Sequence, residues 1–159
     1  MTMADTGEWR SDRLRDADET VRWWPTAQVT AAGRWTGPTD DGRWVVGTPD
    51  RHVLLAGSPA GVIALLPLLE RPMTAVAADL GVSKLTQHSL AFERVVDAAL
   101  DERSSGRWTA YAIAWLDDGF PTVWYRDALR RILTDKKRVD QRSRQAAARL
   151  LADKPSRPD

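Results

Sequence analysis

The hydrophobic period of this chain changes once, at Gly57-Ser58-Pro59-Ala60-Gly61, and that change limits the fold more than any other feature. Upstream, Gln28–Trp35, Gly42–Thr48 and Arg51–Gly57 are short runs with β-branched and aromatic members. They are separated by Thr-Gly-Pro-Thr-Asp-Asp-Gly and Thr-Pro-Asp, which are turn chemistry. Downstream the apolar residues recur with a period near 3.6 to the end of the chain. A helical bundle alone cannot use the first part, and a sandwich or barrel alone cannot use the second. The expected class is α+β: a small antiparallel β-meander of about three strands over 27–56, packed on a C-terminal helical bundle over 58–153.

At 159 residues the chain has the length of one ordinary domain, so 1–159 is read as a single unit. Residues 1–20 are polar and poor in large apolar groups and predict a loosely held arm, and 154–159 predicts a frayed tail. Within the helical part the spacing predicts a buried helix over Val62–Glu70, bent or closed at Pro67, and a short one over Met73–Leu80 ending at Gly81. A long third helix is predicted from Ser83 to Ser104, followed by helices over 107–118, 123–133 and 139–153.

Ser58 stands between glycines after a strand-like run and invites a nucleophile reading. A nucleophile elbow needs the serine at the centre of Gly-x-Ser-x-Gly, and Ser58 is in the second position. Serine before a proline that opens an apolar periodic run is instead the signature of a helix start, with Ser58 as N-cap and Pro59 as the first helical residue. The glycines lack the spacing of either phosphate-binding loop. His52 and His88 have no partner at metal-ligand spacing and there is no cysteine, so neither a metal nor a cofactor is expected. The pairs Asp40-Asp41 and Asp117-Asp118 each precede glycine and read as turns. No nucleophile-base pair, metal set or phosphate loop is visible, so no catalytic residue is assigned.

The 23 basic and 22 acidic residues leave a formal charge of +1, and no global field favours nucleic acid or an anionic membrane. The uncharged run Val53–Leu69 is broken by Gly57, Ser58, Pro59, Gly61 and Pro67 and reads as core rather than as a membrane span. The absence of cysteine suits a reducing compartment, and the cytoplasm is the expected address. Arginine outnumbers lysine nineteen to four, which fits a GC-rich bacterial coding bias.

The stretch Met73–Leu90 resembles the helix-turn-helix core of many bacterial DNA-binding proteins, in which an alanine, a glycine four residues on, a hydrophobic residue and a polar helix opening recur. Here these are Ala77, Gly81, Val82 and Ser83. The resemblance covers about one-ninth of the chain. It implies a DNA-binding regulator using residues 73–92, with Ser83, Lys84, Thr86, Gln87 and His88 opening a recognition helix. Gln87 departs from the pattern, which places Val or Ile there.

Eight tryptophans against two Phe and two Tyr are the compositional anomaly. Trp108 and Trp115 share a helical face and suit a core. Trp23, Trp24, Trp35 and Trp44 cluster beside polar turns, and half-exposed tryptophans at such places are typical of protein interfaces. The leading expectation is a non-catalytic cytoplasmic bacterial binding protein, immunity-, antitoxin- or adaptor-like, that meets a protein partner through a face bearing Trp and Arg. The DNA-binding regulator is the alternative.

Overall fold

The computed structural model describes residues 8–158. The architecture is α+β, with a six-stranded mixed sheet and six α-helices. The chain divides into two compact units, Met1–Phe92 and Glu93–Asp159.

The first unit contains β1 (Arg10–Leu14), β2 (Thr20–Trp23), β3 (Ala27–Gln28), β4 (Trp35–Pro38), β5 (Trp44–Gly47) and β6 (His52–Leu55), in the spatial order β2-β1-β6-β5-β4-β3. The strand count corrects the expectation of about three. Residues 10–14 and 20–23 form an antiparallel pair instead of the expected arm, and the run 28–35 is a hairpin from β3 to β4 rather than one strand. Only Leu14 is apolar in β1, so sequence alternation could not announce that strand. Its place is set by its neighbours. Residues 1–7 of the expected arm lie outside the described residues.

The two edge strands, β2 and β3, belong to one extended segment, and that segment closes the sheet on itself. Residues 20–23 pair with β1, whereas Trp23 bridges Thr39, Trp24 N donates to Pro38 O (2.9 Å), Asp40 N to Arg22 O (2.9 Å) and Thr26 N to Thr36 O (2.9 Å). The strand direction alternates along five extended segments, so joining the first to the last must make one parallel pair. That pair is β1 with β6, in register Arg13↔His52 and Leu14↔Val53. Closure removes the free edges that an open meander would leave for aggregation. It requires Gly37: a Cβ there would lie 1.7 Å from the Trp24 carbonyl oxygen.

Both faces of β4–β6 are covered. Leu14, Val21, Trp23, Val45 and Val53 fill the inside, with Trp35 and Leu55 packed on them. Thr36, Val46 and Leu54 alternate to the outer face and are also buried. On that side lies α1 (Pro59–Leu65), which contacts β5 and β6, followed by a 3-10 segment Leu66–Glu70 and by α2 (Met73–Leu80), which contacts β3. Ser58 is the N-cap, its Oγ accepting from Gly61 N at 3.0 Å, with Pro59 in the first helical turn. Gly61 permits the approach of α1 to β6, since a Cβ would lie 1.9 Å from Leu55 O. The 3-10 segment begins around Pro67, which supplies no backbone donor. Among the described residues no single helix is long and apolar enough to cross a membrane.

The predicted long helix from Ser83 does not form. Gly81 ends α2 with φ 69°, the chain makes a 3-10 turn at Leu85–Gln87, and α3 spans Phe92–Leu100. His88 Nδ1 accepts from Leu90 N (3.0 Å) and Ala91 takes φ 52°, which breaks helical geometry while Leu85 and Leu90 stay buried. The helical period was correct for the burial of those leucines and wrong for the backbone between them.

The second unit holds α4 (Gly106–Asp117), α5 (Arg126–Ile132) and α6 (Gln141–Ala152). Trp115, Phe120 and Tyr125 form a buried aromatic series with successive centroids 6.1 and 6.4 Å apart, and Tyr125 Oη donates to Glu93 O at 2.9 Å. Asp140 caps α6, accepting from Ser143 N at 2.8 Å. The expected frayed tail is instead clasped: Thr122 N donates to Ser156 O (3.1 Å) and Ser156 N to Thr122 Oγ1 (3.0 Å).

Candidate binding cleft at the mouth of the sheet

Inward-facing positions alternate along every strand, and at one end of the closed sheet they change from apolar to polar. On β1 they run Arg10, Asp12, Leu14; on β2, Val21 and Trp23. Leu14 and Val21 join the apolar interior, whereas Arg10 and Asp12 line a cleft of about 370 Å³ together with Trp23, Arg34, Trp35, Thr48, Arg51 and His52. A strand that is polar on both sides is thereby explained: β1 spends two of its inward positions on the rim of a cleft.

The floor is organised by Trp23. Its ring is buried, with the six-membered edge 3.7 Å from where a Cβ on Gly47 would stand. Its Nε1 donates to Asp12 Oδ2 at 2.8 Å, and the Arg10 guanidinium lies 5.8 Å from the ring centroid. Asp12 thus satisfies a donor that burial would otherwise leave stranded. Trp35 is half-buried and opens on this cleft and on a second, larger depression of about 860 Å³ beside Gln28 and Arg71.

Four arginines of the unit are held in ion pairs. Arg13 pairs with Asp18, Arg15 with Asp50 through two contacts of 2.9 Å, Arg43 with Glu19 (2.5 Å) and Asp41 (2.8 Å), and Arg71 with Asp79 (2.6 Å). These contacts hold the Asp41 carboxyl well below its ordinary range, chiefly through Arg43, and Asp50 at about 2, chiefly through the Thr48 hydroxyl. Among the described residues the Arg22 guanidinium meets only the Trp9 ring, and the guanidinium groups of Arg34 and Arg51 have no hydrogen-bond or ion-pair partner. The latter two belong to the cleft. Arg51 holds φ 62° in the tight turn after Thr48, a left-handed geometry that usually goes to glycine or asparagine.

The four tryptophans assigned to an interface are therefore not equivalent. Trp23 is core and cleft floor, which corrects the expectation that it is half-exposed. Trp35 lines the cleft. Trp24 is half-buried beside Trp9, which is exposed and carries Arg22 over its ring at 5.4 Å. Trp44 is half-buried against His88, with centroids 4.5 Å apart. Ser83, Lys84, Thr86, Gln87 and His88 lie in the turn between α2 and α3, with no recognition helix to carry them. Lys84 and Gln87 are exposed, Thr86 is half-buried, and His88 is packed between Trp44 and Phe92.

Sequence reasoning missed Arg10, Asp12, Arg34 and Arg51. Gly-Arg-Trp occurs at 33–35 and 42–44, each at the entry to a strand, and a third time at 106–108, where it opens α4. The tripeptide precedes helix and strand alike and does not tell which arginine is left without a carboxylate. Among the described residues no group of three or more His, Asp or Glu is placed to hold a metal ion.

No protein-family model matches the chain, no curated protein matches its sequence, and no solved structure matches its fold.

Proposed function

We propose that this is a non-catalytic binding protein, acting in the cytoplasm, that engages a protein partner at the mouth of its closed sheet. The observation that carries the reading is the pairing of a half-buried Trp35 with two partnerless guanidiniums, Arg34 and Arg51, in one cleft. Tryptophan and arginine are the side chains that most often dominate interface energetics, the first through buried area and the second through forked hydrogen bonds. Arg13, Arg15, Arg43 and Arg71 are neutralised within the unit, whereas the charge of Arg34 and Arg51 in the cleft remains to be answered from outside.

The test is affinity capture with the purified chain, followed by calorimetry with the isolated partner. Wild type is expected to bind it, and Trp35→Ala and Arg34→Glu are expected to weaken binding at least about tenfold, as loss of an interface anchor does. Arg142→Glu on α6 is expected to have no effect. A partner that binds the cleft variants as tightly as wild type overturns the reading.

A further inference from the structure

We infer that the occupant of the cleft is an acidic, extended polypeptide segment, with an apolar side chain against Trp35 and flanking carboxylates in reach of Arg34 and Arg51. This rests on the reading above and names the chemistry of the partner at that site.

Charge selects an acidic occupant. Over Met1–Phe92 the sequence has nine basic and eleven acidic residues, a formal −2, yet the cleft lining brings Arg34 and Arg51, neither with an ion-pair partner among the described residues, together with one carboxylate, Asp12, which accepts from Trp23. A planar guanidinium matches a carboxylate with two parallel hydrogen bonds, and a half-enclosed site protects that pairing from screening.

Size selects a segment over a folded surface. About 370 Å³ is at the lower end of ligand pockets and holds two or three side chains of an extended chain.

Chemistry separates a peptide from a nucleic acid. A single-strand site needs a run of cations along the backbone and several exposed rings for stacking. Here one tryptophan, Trp35, is accessible, Trp23 is sealed into the floor, and the unit around the cleft is net acidic. Asp12 stands in the floor as an acceptor. A polypeptide can approach it with backbone N–H groups, whereas a phosphodiester backbone would bring only like charge.

The experiment uses the full chain and four fluorescein-labelled probes at low salt: a decapeptide of alternating Glu and Val, the same peptide with Gln for Glu, the same with Lys for Glu, and decathymidylate. Anisotropy gives affinity. The indole N–H signals in an ¹⁵N spectrum give position, with that of Trp35 identified by its loss in Trp35→Phe. The Glu peptide is expected to bind about tenfold or more tighter than the Gln peptide, as charge-assisted hydrogen bonds require. It should shift the Trp35 signal and lose about tenfold in each of Arg34→Gln and Arg51→Gly. Arg51→Gly removes the charge while relieving the left-handed backbone, so its loss of binding is not a loss of folding.

Equal affinity for the Glu and Gln peptides overturns the inference, as does binding that survives Arg34→Gln combined with Arg51→Gly. Tighter binding of decathymidylate with the same arginine dependence overturns it in favour of a nucleic-acid site. A captured partner that needs Trp35 and Arg34 but docks through a non-acidic segment sinks the inference and leaves the proposed function standing. Acidic-peptide binding in the cleft, with a captured partner indifferent to the same substitutions, does the reverse.

Discussion

The two units build their interiors by opposite means. In Glu93–Asp159 each helix brings its own apolar face: Ala112, Ile113, Trp115 and Leu116 on α4, Ala128, Leu129 and Ile132 on α5, Ala146, Ala147 and Leu150 on α6. Inside the closed sheet of Met1–Phe92 the core is assembled from single residues on distant strands, Leu14 beside Val53 and Val21 across from Asp12. A helix announces its buried face locally, whereas a closed sheet creates one only when its edges meet. Polar groups can therefore be turned inward at the end of a strand, where they cost nothing to the core and make a cleft.

The largest test of this contrast replaces one buried tryptophan in each unit. Trp23→Ala and Trp115→Ala should each cost about 3–5 kcal/mol, read from urea denaturation followed by circular dichroism. Trp23→Ala should also abolish peptide binding, because the cleft loses its floor, and Trp115→Ala should leave the affinity of the folded fraction unchanged. Equal loss of binding in both would erase the distinction drawn between the units.

Closure itself is tested next. Gly37→Ala forces the Trp24 carbonyl away from β4 and should cost about 3 kcal/mol, the upper range for overpacking. A variant as stable as wild type would mean that the segment 20–28 does not close the sheet as described. Asp12→Ala strands the Trp23 indole N–H and should cost about 1–3 kcal/mol, with the Trp23 indole proton losing its hydrogen-bonded shift. Ser58→Ala removes an N-cap and should cost about 1 kcal/mol, with Ser58→Gly costing less.

The smallest effect is a pH slope. Burial holds the His88 imidazole below its ordinary value of 6.5, so the folded state resists its protonation. The folded pKa is the lower one: the stability is present above 6.5 and is lost as pH falls through the folded value. Denaturation midpoints should decline on acidification below pH 6.5, and His88→Gln should flatten that decline. A slope unchanged by the substitution would assign it to the carboxylates instead.

Three helices were legible because cap, period or stop lies within a few residues: Ser58-Pro59 before α1, Gly81 after α2, Asp118-Gly119 after α4. The resemblance of Met73–Leu90 to a helix-turn-helix rested on the same local letters. It failed at the next step, since Gly81 and Val82 serve α2 alone: the N–H of Val82 bonds back to Ala77 O at 3.1 Å. β1 was illegible, because its sequence Arg-Ser-Asp-Arg-Leu has no apolar alternation and its inward arginine and aspartate acquire meaning only opposite Trp23.

From its sequence alone this protein is determined to mix sheet and helix, to change from one to the other at Gly57–Gly61, to cap α1 with Ser58 and to lack cysteine chemistry. Tertiary structure alone decides that 20–28 closes the sheet, that Trp23 is core while Trp35 is accessible, and that Arg43 is neutralised while Arg34 and Arg51 are not. The reason is physical: caps and periodicity are interactions within one or two turns of chain, whereas enclosure and charge pairing depend on which distant residues the folded chain brings within a few ångströms.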